Sequence, residues 1–595
     1  MQNEANVTDS FQARPDLTGS FGMCSATHWT ASSTAQAVLE RGGNAFDAAA
    51  AGAFVLHVVE PHLNGPGGDL VALIAPAGAE PETLVGQGPA PAGASIEHFA
   101  NEGLTMVPGA GGLAAAVPGA VDAWLMLVRD HGTWELDEIF SFAISYARRG
   151  HALLPKAAAT IRSVADLFRE QWPTSAEQWL PGGEAPEAGS IVRNPLYART
   201  LERLQASALG DTREARIDAA RREWREGFVA SAIDEAMRVP HWHSTGGIHR
   251  GVMTAEDLAS FQASYEPALH GRFRGHDVLK AGPWSQGPVL IQALAILEGF
   301  ADEDLDLSTS KGVHIVLEAL KLALADRDTY YGQEIDPHVL STLLSPEYAA
   351  QRRALIGERA SHEFRPGDAG ARFDPPLVTK GDDEGDGAVG EPTVPAGAVV
   401  RGDTCHIDVV DRWGNMISAT PSGGWLQSSP LIPELGFALG TRLQMAWLDP
   451  ASPAALRPGR RPRTTLSPSL LAKDGQIIAA FGSPGGDQQD QWQALLLIQM
   501  LVSGRTPQQS IEAPAFHTTS FPNSFWPRRW TPGGAVIEDR IGEAVIAELE
   551  QRGHVVTRAG DWAEGRLTAV TRHPTSGQLG AAANPRGAQG YAVGR

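Results

Sequence analysis

A short hairpin pattern near residue 404 places the strongest constraint on the fold. From Thr404 to Val409 polar and apolar side chains alternate, so that Thr404, His406 and Asp408 face one side of a strand and the residues between them face the other. A turn at 411–415 and a returning strand at 416–420 follow. The pattern predicts a buried antiparallel hairpin whose first strand begins at Thr404.

The segment before this hairpin has the opposite character. Residues 373–401 contain four prolines, five glycines and an acidic run at 381–387, with few side chains that could enter a core. This composition predicts an exposed, mobile acidic linker. Because the linker leads directly into a buried strand, we predict a cleavage point between Asp403 and Thr404.

Cleavage at this point would give Thr404 the chemistry of a nucleophile. A threonine hydroxyl needs an adjacent base to remove its proton. A freed α-amine, with an ordinary pKa of about 7.7–8.0, lies on the same residue and can serve as that base. N-terminal nucleophile hydrolases work in this way. From this stretch alone, an ordinary edge strand after a loop remains the alternative.

Composition and charge exclude several classes of protein. A net charge of −21 argues against partners such as nucleic acids or anionic membranes, because both bind basic patches. No apolar run approaches 18 residues, and the first 21 residues lack the basic and apolar parts of a signal peptide, so the cytoplasm is the predicted location. The two cysteines, Cys24 and Cys405, cannot form a disulfide framework or a metal cluster.

Hydrophobic periodicity predicts a mixture of helices and strands. Residues 42–51 are typical of a turn and a tightly packed alanine-rich helix, and a strand follows at 70–74. Most of 136–359 has helical spacing, with an N-terminal cap predicted at Thr254. After Thr404 the chain changes to strands and glycine turns, with one helix from about 491 to 503. Histidines 241, 243 and 249 have no cysteine or clustered acid beside them, so no metal site is predicted there.

Several motifs occur in a fixed order along more than 400 residues. They are GGNAFDAA at 42–49, VEPH at 59–62, VPGA at 117–120, LADR at 324–327, DTCH at 403–406, DRWGN at 411–415, LSP at 466–468 and GSPGG at 482–486. In this order the chain resembles the γ-glutamyltransferase family over nearly its whole length. The resemblance implies an α+β fold, a four-layer αββα sandwich of the N-terminal nucleophile hydrolase type. It also implies one precursor cut into two intertwined subunits, here 1–403 and 404–595, and leaves open a dimer of these.

The resemblance assigns the catalytic residues by position. The nucleophile is the first threonine of a Thr-Thr-His motif, which here is Thr404, and the second threonine is replaced by Cys405. Strand alternation makes Cys405 a small core residue rather than a rival nucleophile. A hydroxyl partner on the returning strand corresponds to Ser422. The oxyanion hole corresponds to the main-chain N–H groups of Gly485 and Gly486.

The substrate pocket departs from the family pattern. The family arginine that binds a carboxylate is missing from the turn that contains Gln87, and a Ser-Ser pair is replaced by Thr464 and Thr465. The acid that binds an ammonium group falls near Met445, and a family asparagine becomes Gly424. Removing a paired charge from a closed site commonly costs about 2–5 kcal/mol. A free γ-glutamyl group is therefore predicted to be a poor substrate.

Three other side chains could define a different pocket. Arg442 and Arg463 could bind another carboxylate, or could form structural ion pairs. Trp425 could narrow the pocket toward a flat or apolar acyl group, or could be a core residue. Both interpretations stay open at this point.

We therefore predict a self-cleaving threonine amidohydrolase or acyltransferase that needs neither a cofactor nor a metal. It would form an acyl-enzyme on Thr404 from a small-molecule amide and pass the acyl group to water or to an amine. A true γ-glutamyltransferase or glutathione hydrolase is one alternative. A non-catalytic relative that serves as a binding or scaffolding module is the other.

Overall fold

The structure, a computed structural model, describes residues 12–379 and 404–595. Strands and helices alternate through both ranges. The strands are, in chain order, β1 (Leu17–Gly19), β2 (Gly22–Ala26), β3 (Asp69–Ala75), β4 (Glu82–Gly86), β5 (His151–Ala152), β6 (Ile191–Val192), β7 (His241–Trp242), β8 (Ile248–His249), β9 (Ser264–Pro267), β10 (Leu269–Phe273), β11 (His276–Lys280), β12 (Val378–Thr379), β13 (Ile407–Asp411), β14 (Met416–Ser422), β15 (Ser469–Lys473), β16 (Gln476–Gly482), β17 (Phe516–Thr518), β18 (Arg529–Trp530), β19 (Gly534–Ile537), β20 (Val555–Arg558), β21 (Thr568–Arg572), β22 (Leu579–Ala583) and β23 (Tyr591–Gly594).

The α-helices of the described residues cover both halves of the chain. In chain order they are α1 (Trp29–Glu40), α2 (Ala45–Val59), α3 (Ile96–Asn101), α4 (Ala120–His131), α5 (Leu136–Arg149), α6 (Pro155–Ser163), α7 (Ala165–Glu170), α8 (Pro173–Trp179), α9 (Pro195–Ser207), α10 (Arg213–Glu226), α11 (Phe228–Met237), α12 (Ala255–Ser260), α13 (Gly287–Leu297), α14 (Ser310–Tyr330), α15 (Pro337–Leu343), α16 (Pro346–Arg353), α17 (Gln489–Leu501), α18 (Pro507–Glu512) and α19 (Glu543–Gln551).

Two seven-stranded antiparallel sheets form the centre of the molecule. The first sheet has the strand order β23-β2-β13-β14-β3-β4-β9, and the second has the order β1-β22-β21-β16-β15-β11-β10. The predicted hairpin is confirmed as β13 and β14, adjacent strands of the first sheet, in which Ile407 pairs with Ala419 and Val409 with Ile417. Both sheets contain strands from before and after residue 404, so the two parts of the chain fold as one unit.

Three apolar cores separate these layers. One joins the first sheet to helices α1, α2, α4 and α5, and another joins the second sheet to α13, α14 and α17. Between them, residues such as Val410 and Met416 of the first sheet pack against Leu470 and Val570 of the second. Each sheet therefore contributes residues to a core that it shares with helices and to a core that it shares with the other sheet.

Helix α2 shows why small residues are needed beside the hairpin. Asn44 caps its first turn, and the Asp47 carboxylate completes a capping box with the Asn44 N–H. A β-carbon on Gly52 would lie 2.6 Å from Cδ1 of Ile407, so the glycine lets the helix approach β13 closely. Cys405, Ile407 and β13 residue Val409 all belong to this helical core, which confirms the predicted strand alternation.

Some expectations about secondary structure were wrong. The region expected to be mostly helical contains β9, β10 and β11. Strand β9 is at one edge of the first sheet, and β11 and β10 are the last two strands at one edge of the second. These strands have four or five residues and are largely half exposed, so their two-residue period is weak. The region after residue 404 contains α18 and α19 in addition to the single expected helix. The capping box predicted at Thr254 is confirmed.

The predicted linker begins later than expected. Phe373 is buried against the ring of Trp447, with ring centroids 5.7 Å apart, and β12 pairs in parallel with β18. Residues 373–379 are thus packed onto the fold, because this stretch has an aromatic anchor and a free strand edge to join. The rest of the predicted linker, and Asp403, lie outside the described residues. In the part of the chain that is described, no helix is long and apolar enough to cross a membrane.

Candidate active site

Thr404 and Ser422 face each other at the open end of the hairpin. They form an antiparallel bridge just beyond β13, and their side-chain oxygens are 3.1 Å apart. Both side chains are buried. The residue assigned as nucleophile is therefore in hydrogen-bond contact with the hydroxyl assigned as its partner.

A polar ladder continues from this pair along the same face of the hairpin. His406 Nδ1 lies 2.8 Å from Oγ1 of Thr420, and His406 Nε2 lies 2.8 Å from Oδ1 of Asp408. The Thr568 hydroxyl, on β21 of the second sheet, donates to Oδ2 of Asp408 at 2.6 Å. The ladder ties the nucleophile strand to the facing sheet, because every member is buried and has a partner.

The strand that leads into the glycine loop at 483–486 packs against the nucleophile hairpin. Ser418 donates to the Phe481 carbonyl at 2.9 Å, and a β-carbon on Gly482 would lie 2.2 Å from Cε1 of His406. One step along β16 thus corresponds to a move from the level of Asp408 toward His406. The glycine loop follows directly after Gly482, so it begins beside His406, two residues from Thr404 in the chain.

Gly485 and Gly486 present free main-chain donors to this site. Their φ angles are 125° and 51°, a region that favours glycine. The Gly485 carbonyl accepts from the N–H of Gln488 at 2.9 Å, whereas the N–H groups of both glycines have no acceptor among the described residues. The loop leads into α17, whose N-terminus adds partial positive charge. Unpaired buried N–H groups are rare, and two together suit a developing oxyanion.

A buried network holds the glycine loop in place. Gln286 donates from Nε2 to the Gly486 carbonyl at 3.1 Å and accepts from Nη1 of Arg327 at 3.0 Å. Arg327 also forms an ion pair with Asp487. Ser524 donates to Asp487 from its N–H at 2.8 Å and from its hydroxyl at 2.6 Å. Burial raises the pKa of Asp487, but Arg327 and then Arg463 outweigh burial and leave the pKa below its ordinary value.

Sequence reasoning missed the positioning role of this network. Arg327 was noticed only as part of a family motif, and Gln286, Asp487 and Ser524 were not noticed. One signal was available. Arg327 and Asp328 are adjacent charges on α14, and almost every described residue of that helix, these two included, is buried. Charged residues are almost never fully buried unless they are paired.

Arg463 lies within the same network but is incompletely paired. Its Nη2 donates to Oγ of Ser524 at 3.0 Å and lies 3.3 Å from Oδ1 of Asp328. Its Nε and Nη1 are buried and have no hydrogen-bond partner in the described chain. Burial, and then the charge of Arg327, lowers the pKa of Arg463 to about 10. The hydroxyl of Thr465 is also buried without a partner, whereas Thr464 donates its N–H to the Trp284 carbonyl at 3.0 Å.

Arg442 is engaged differently. Its guanidinium donates to both carboxylate oxygens of Asp69, which is the structural ion pair that the sequence left as an alternative. Asp69 pairs in register with Ser422, so the ion pair stands next to the hydroxyl partner of Thr404. Gly424 has a φ of 65°, and a β-carbon there would lie 2.8 Å from the N of Gly68. A glycine is needed at 424 because two backbones meet there.

An apolar wall borders the glycine loop. Trp425, Met445 and Phe525 pack together, and a β-carbon on Gly486 would lie 2.8 Å from Cε2 of Phe525. Trp425 is therefore both a buried residue and a neighbour of the loop. Gln87 is fully buried beyond β4, and neither its amide oxygen nor its nitrogen has a partner in residues 12–379 or 404–595.

Cys405 is held as a thiol in the helical core. Its Sγ lies 3.0 Å from Oε2 of Glu60, which also accepts from the Thr27 hydroxyl at 2.7 Å. Burial, and then the nearby Glu60 carboxyl, raises the pKa of Cys405 well above its ordinary value. A buried thiol that keeps its proton is a poor nucleophile, as the sequence predicted.

One group of side chains in the described residues has the spacing of metal ligands. It consists of His314, Glu318 and His554. His314 already contacts Nε2 of His554 at 2.9 Å and the Gly357 carbonyl at 2.8 Å, and Glu318 pairs with Lys321. These groups therefore satisfy one another as a structural cluster.

A buried threonine at the start of a central sheet strand, with its hydroxyl against the serine of the adjacent strand, is typical of the class of N-terminal nucleophile hydrolases. The chain belongs to the gamma-glutamyltranspeptidase family, whose family profile matches residues 31–594. The family that the sequence resembles is thus confirmed, and with it the prediction of an enzyme.

Three relatives cover almost the whole chain. The oxamate amidohydrolase proenzyme of Klebsiella pneumoniae subsp. pneumoniae is 30% identical over 580 residues, which are 95% of this chain and 97% of the relative. The solved structure of LmbA2991HD is 51% identical, with a TM-score of 0.93, and covers 98% of this chain and 100% of its own. Cephalosporin acylase from Bacillus halodurans is 26% identical, with a TM-score of 0.80, over 100% and 99% of the two chains. This chain is accordingly an autoprocessed amidohydrolase or acyltransferase, made as one precursor that yields two subunits.

Proposed function

We propose that the precursor is cut between Asp403 and Thr404, and that Thr404 then attacks an amide whose acyl group is not γ-glutamyl. Residues 1–403 would form the large subunit and 404–595 the small one. The 3.1 Å contact between the Thr404 and Ser422 hydroxyls carries this proposal, and the N–H groups of Gly485 and Gly486, which have no acceptor in the described chain, support it. The sequence of helical core, sheet, sheet and helical core supports the αββα arrangement that the family resemblance implies.

The reaction follows from these positions. The Thr404 hydroxyl attacks the amide carbon while the freed α-amine takes its proton, and Ser422 orients the attacking oxygen. The N–H groups of Gly485 and Gly486 donate to the oxyanion, which is worth about 2.7–4 kcal/mol per donor in comparable sites. The C–N bond then breaks, and the amine leaves with the proton held by the α-amine. Water or a second amine attacks the resulting ester on Thr404 and releases the acyl group.

The pocket does not offer the negative charge that the α-ammonium of a γ-glutamyl group requires. Met445 stands where the family has the acid for the α-ammonium, and it packs against Trp425 and Phe525. An ammonium group buried against this wall would lack a partner, which is unfavourable. The uncharged Gln87 occupies the turn where the family has an arginine. A true γ-glutamyltransferase or glutathione hydrolase is therefore the weaker alternative.

Two measurements test the proposal. Mass spectrometry of the purified protein should find a fragment that begins at Thr404, and Thr404→Ala should stay uncut. Rapid quenching with a panel of acyl p-nitroanilides, including the γ-glutamyl compound, should trap an acyl group on Thr404. Absence of that fragment, or of any acyl-threonine, would overturn the mechanism. Fastest turnover with γ-glutamyl p-nitroanilide would overturn the substrate assignment.

Assembly is a separate part of the proposal. We propose that the unit of large and small subunits, whose strands share both sheets, forms a dimer. Sedimentation of the mature protein compares the measured mass with 63.1 kDa for one copy. A mass near that value would rule out the dimer.

A further inference from the structure

More positive than negative charge is buried beside the glycine loop. Arg327, Arg463 and Arg528 lie there with only two carboxylates, those of Asp328 and Asp487. Each of these five residues is at most 4% exposed. The ion pairs of this cluster join Arg327 to both carboxylates and Arg463 to Asp328 alone. Buried charges are normally balanced, so one cation in this cluster lacks a counterion among the described residues.

Arg327 takes most of the available negative charge. It contacts both oxygens of Asp328, at 3.1 and 3.2 Å, and it is paired with Asp487 as well. Arg463 is left with a single 3.3 Å contact to Asp328. Two of its three guanidinium nitrogens, Nε and Nη1, have no partner in the described parts of the chain. Its unused donors are enclosed, since the side chain is almost wholly buried.

Arg528 is held in place without any carboxylate that the described residues supply. Its Nη2 donates to the Gln444 and Ala446 carbonyls at 2.6 and 2.8 Å, and its guanidinium lies over the Trp447 ring, 3.9 Å from the centroid. Its φ is 62°, an unfavourable value for a residue with a side chain. Backbone strain of this kind is concentrated at functional sites.

Both guanidinium groups stay charged under physiological conditions. Burial, and then the neighbouring Arg463, lowers the pKa of Arg528 to about 9, and the pKa of Arg463 is lowered to about 10. Both values lie well above neutrality. The two side chains therefore repel each other at pH 7, and a bound anion would relieve that repulsion.

We propose that Arg463 and Arg528 form an anion subsite that binds a carboxylate carried by the acyl group of the substrate. Ser524 links this subsite to the catalytic loop, because its hydroxyl contacts both Arg463 and Asp487, the residue after Gly486. Arg463 also directly precedes Thr464 and Thr465, the latter with an unpaired hydroxyl. This inference rests on the proposed role of Thr404, and it narrows the substrate class to dicarboxylic acid monoamides.

Simple amides test the acyl group alone, because each releases only ammonia. The acidic series is oxamate, malonamate, succinamate and glutaramate, and the neutral series of equal chain length is acetamide, propionamide, butyramide and valeramide. At least one acidic amide should exceed its neutral partner in kcat/KM by about 10- to 100-fold. This ratio corresponds to the free energy that hydrogen bonds to charged groups usually contribute. In Arg463→Met and in Arg528→Met this preference should fall below about threefold, and Arg463→Lys should keep part of it.

Arg461→Met is the matched control. Arg461 lies two residues before Arg463, pairs with Glu266 at 2.6 Å, and belongs to no part of the buried network. Its substitution should leave the preference for acidic amides unchanged. Cleavage into two subunits is checked for every variant, so that a folding defect is recognised.

A binding measurement completes the test without catalysis. Succinate should raise the melting temperature of the processed wild-type protein more than succinamide does, because a ligand that binds the folded state stabilises it. Arg463→Lys should show a smaller rise, and Arg528→Met none. Equal rates for acidic and neutral amides, or no stabilisation by succinate, oxalate, malonate or glutarate, would overturn the subsite. If acyl-Thr404 still forms with an anilide, the proposed function stands; if it never forms, that function fails instead.

Discussion

Arg442 donates from Nε and Nη2 to the two carboxylate oxygens of Asp69, at 2.7 and 2.8 Å. Both side chains are buried, and Asp69 pairs in register with Ser422 on the adjacent strand. The guanidinium that the sequence offered as one candidate for a substrate carboxylate is thus engaged by the protein itself. Arg463, the other candidate, keeps two nitrogens unpaired among the described residues.

Breaking this ion pair is expected to destabilise the fold. Asp69→Asn removes the charge that both contacting nitrogens of Arg442 meet, which should lower the free energy of unfolding by about 3–5 kcal/mol. Arg442→Met should have a comparable effect, because it removes the guanidinium from the buried Asp69 carboxylate. The double variant should lose less than the sum of the two. Urea denaturation of the four proteins measures this, and additive losses would contradict the coupling.

Ser422 is expected to support the nucleophile through its hydroxyl. Ser422→Ala removes the oxygen that lies 3.1 Å from Oγ1 of Thr404, and kcat should fall by about 10- to 100-fold. Ser422→Thr keeps the hydroxyl and should retain most of the activity. Steady-state kinetics and the extent of cleavage measure both effects. Full activity in Ser422→Ala would show that the contact is not used.

Gly486 is expected to tolerate no side chain. In Gly486→Ala the new β-carbon would meet Phe525 and shift the N–H donor, so kcat should fall by about 10²–10³-fold. Gly504→Ala is the matched control: its φ is 65°, and its β-carbon would enter open space. That variant should lose roughly 1–2 kcal/mol of stability from the left-handed conformation alone and keep its kcat. If both variants lost the same fraction of kcat, backbone strain rather than a displaced N–H donor would explain the loss in Gly486→Ala.

The Cys405 thiol is expected to matter as a hydrogen-bond donor. Cys405→Val removes the donor to Glu60 and should lower the free energy of unfolding by about 1–3 kcal/mol. Cys405→Thr restores a donor at the same position and should remain near the wild type. Both variants should still be cut before Thr404, because the thiol is not the nucleophile. Loss of cleavage in Cys405→Thr would contradict this role.

His62 is expected to make the protein sensitive to acid. Burial, followed by the charges of Lys156, Arg566 and His28, lowers the pKa of His62 to about 3. Below its ordinary pKa of about 6.5 the unfolded chain therefore binds a proton that the folded chain does not, so stability falls as the pH falls from about 6.5 toward 3. In His62→Gln the loss between pH 7.5 and pH 5 should shrink by about 2 kcal/mol. His338, which is exposed, provides the control, and His338→Gln should leave the loss of stability between pH 7.5 and pH 5 as it is in the wild type. If His62→Gln also left that loss unchanged, the prediction would be refuted.

Local patterns were sufficient to predict part of the fold. The hairpin at 404–420 and the helical spacing of much of 136–359 were predicted because alternation and helical spacing depend on neighbouring residues. The strands β9 to β11 were missed, since short half-exposed strands at sheet edges carry little periodicity. Phe373 was assigned to a mobile linker because its partner, Trp447, is more than 70 residues away in the chain.

By itself the sequence determined the order of the family motifs, the alternation that turns Thr404 inward and Cys405 toward the helices, and the positions of the paired glycines. The tertiary structure alone decided that Arg442 meets Asp69, that Arg327 takes both nearby carboxylates, and that Arg463 and Arg528 remain in excess beside the glycine loop. Motif and period are properties of adjacent residues. Which charged groups pair depends on how segments far apart in the chain pack together. Burial then strengthens the electrostatic effect of a charge that has no partner.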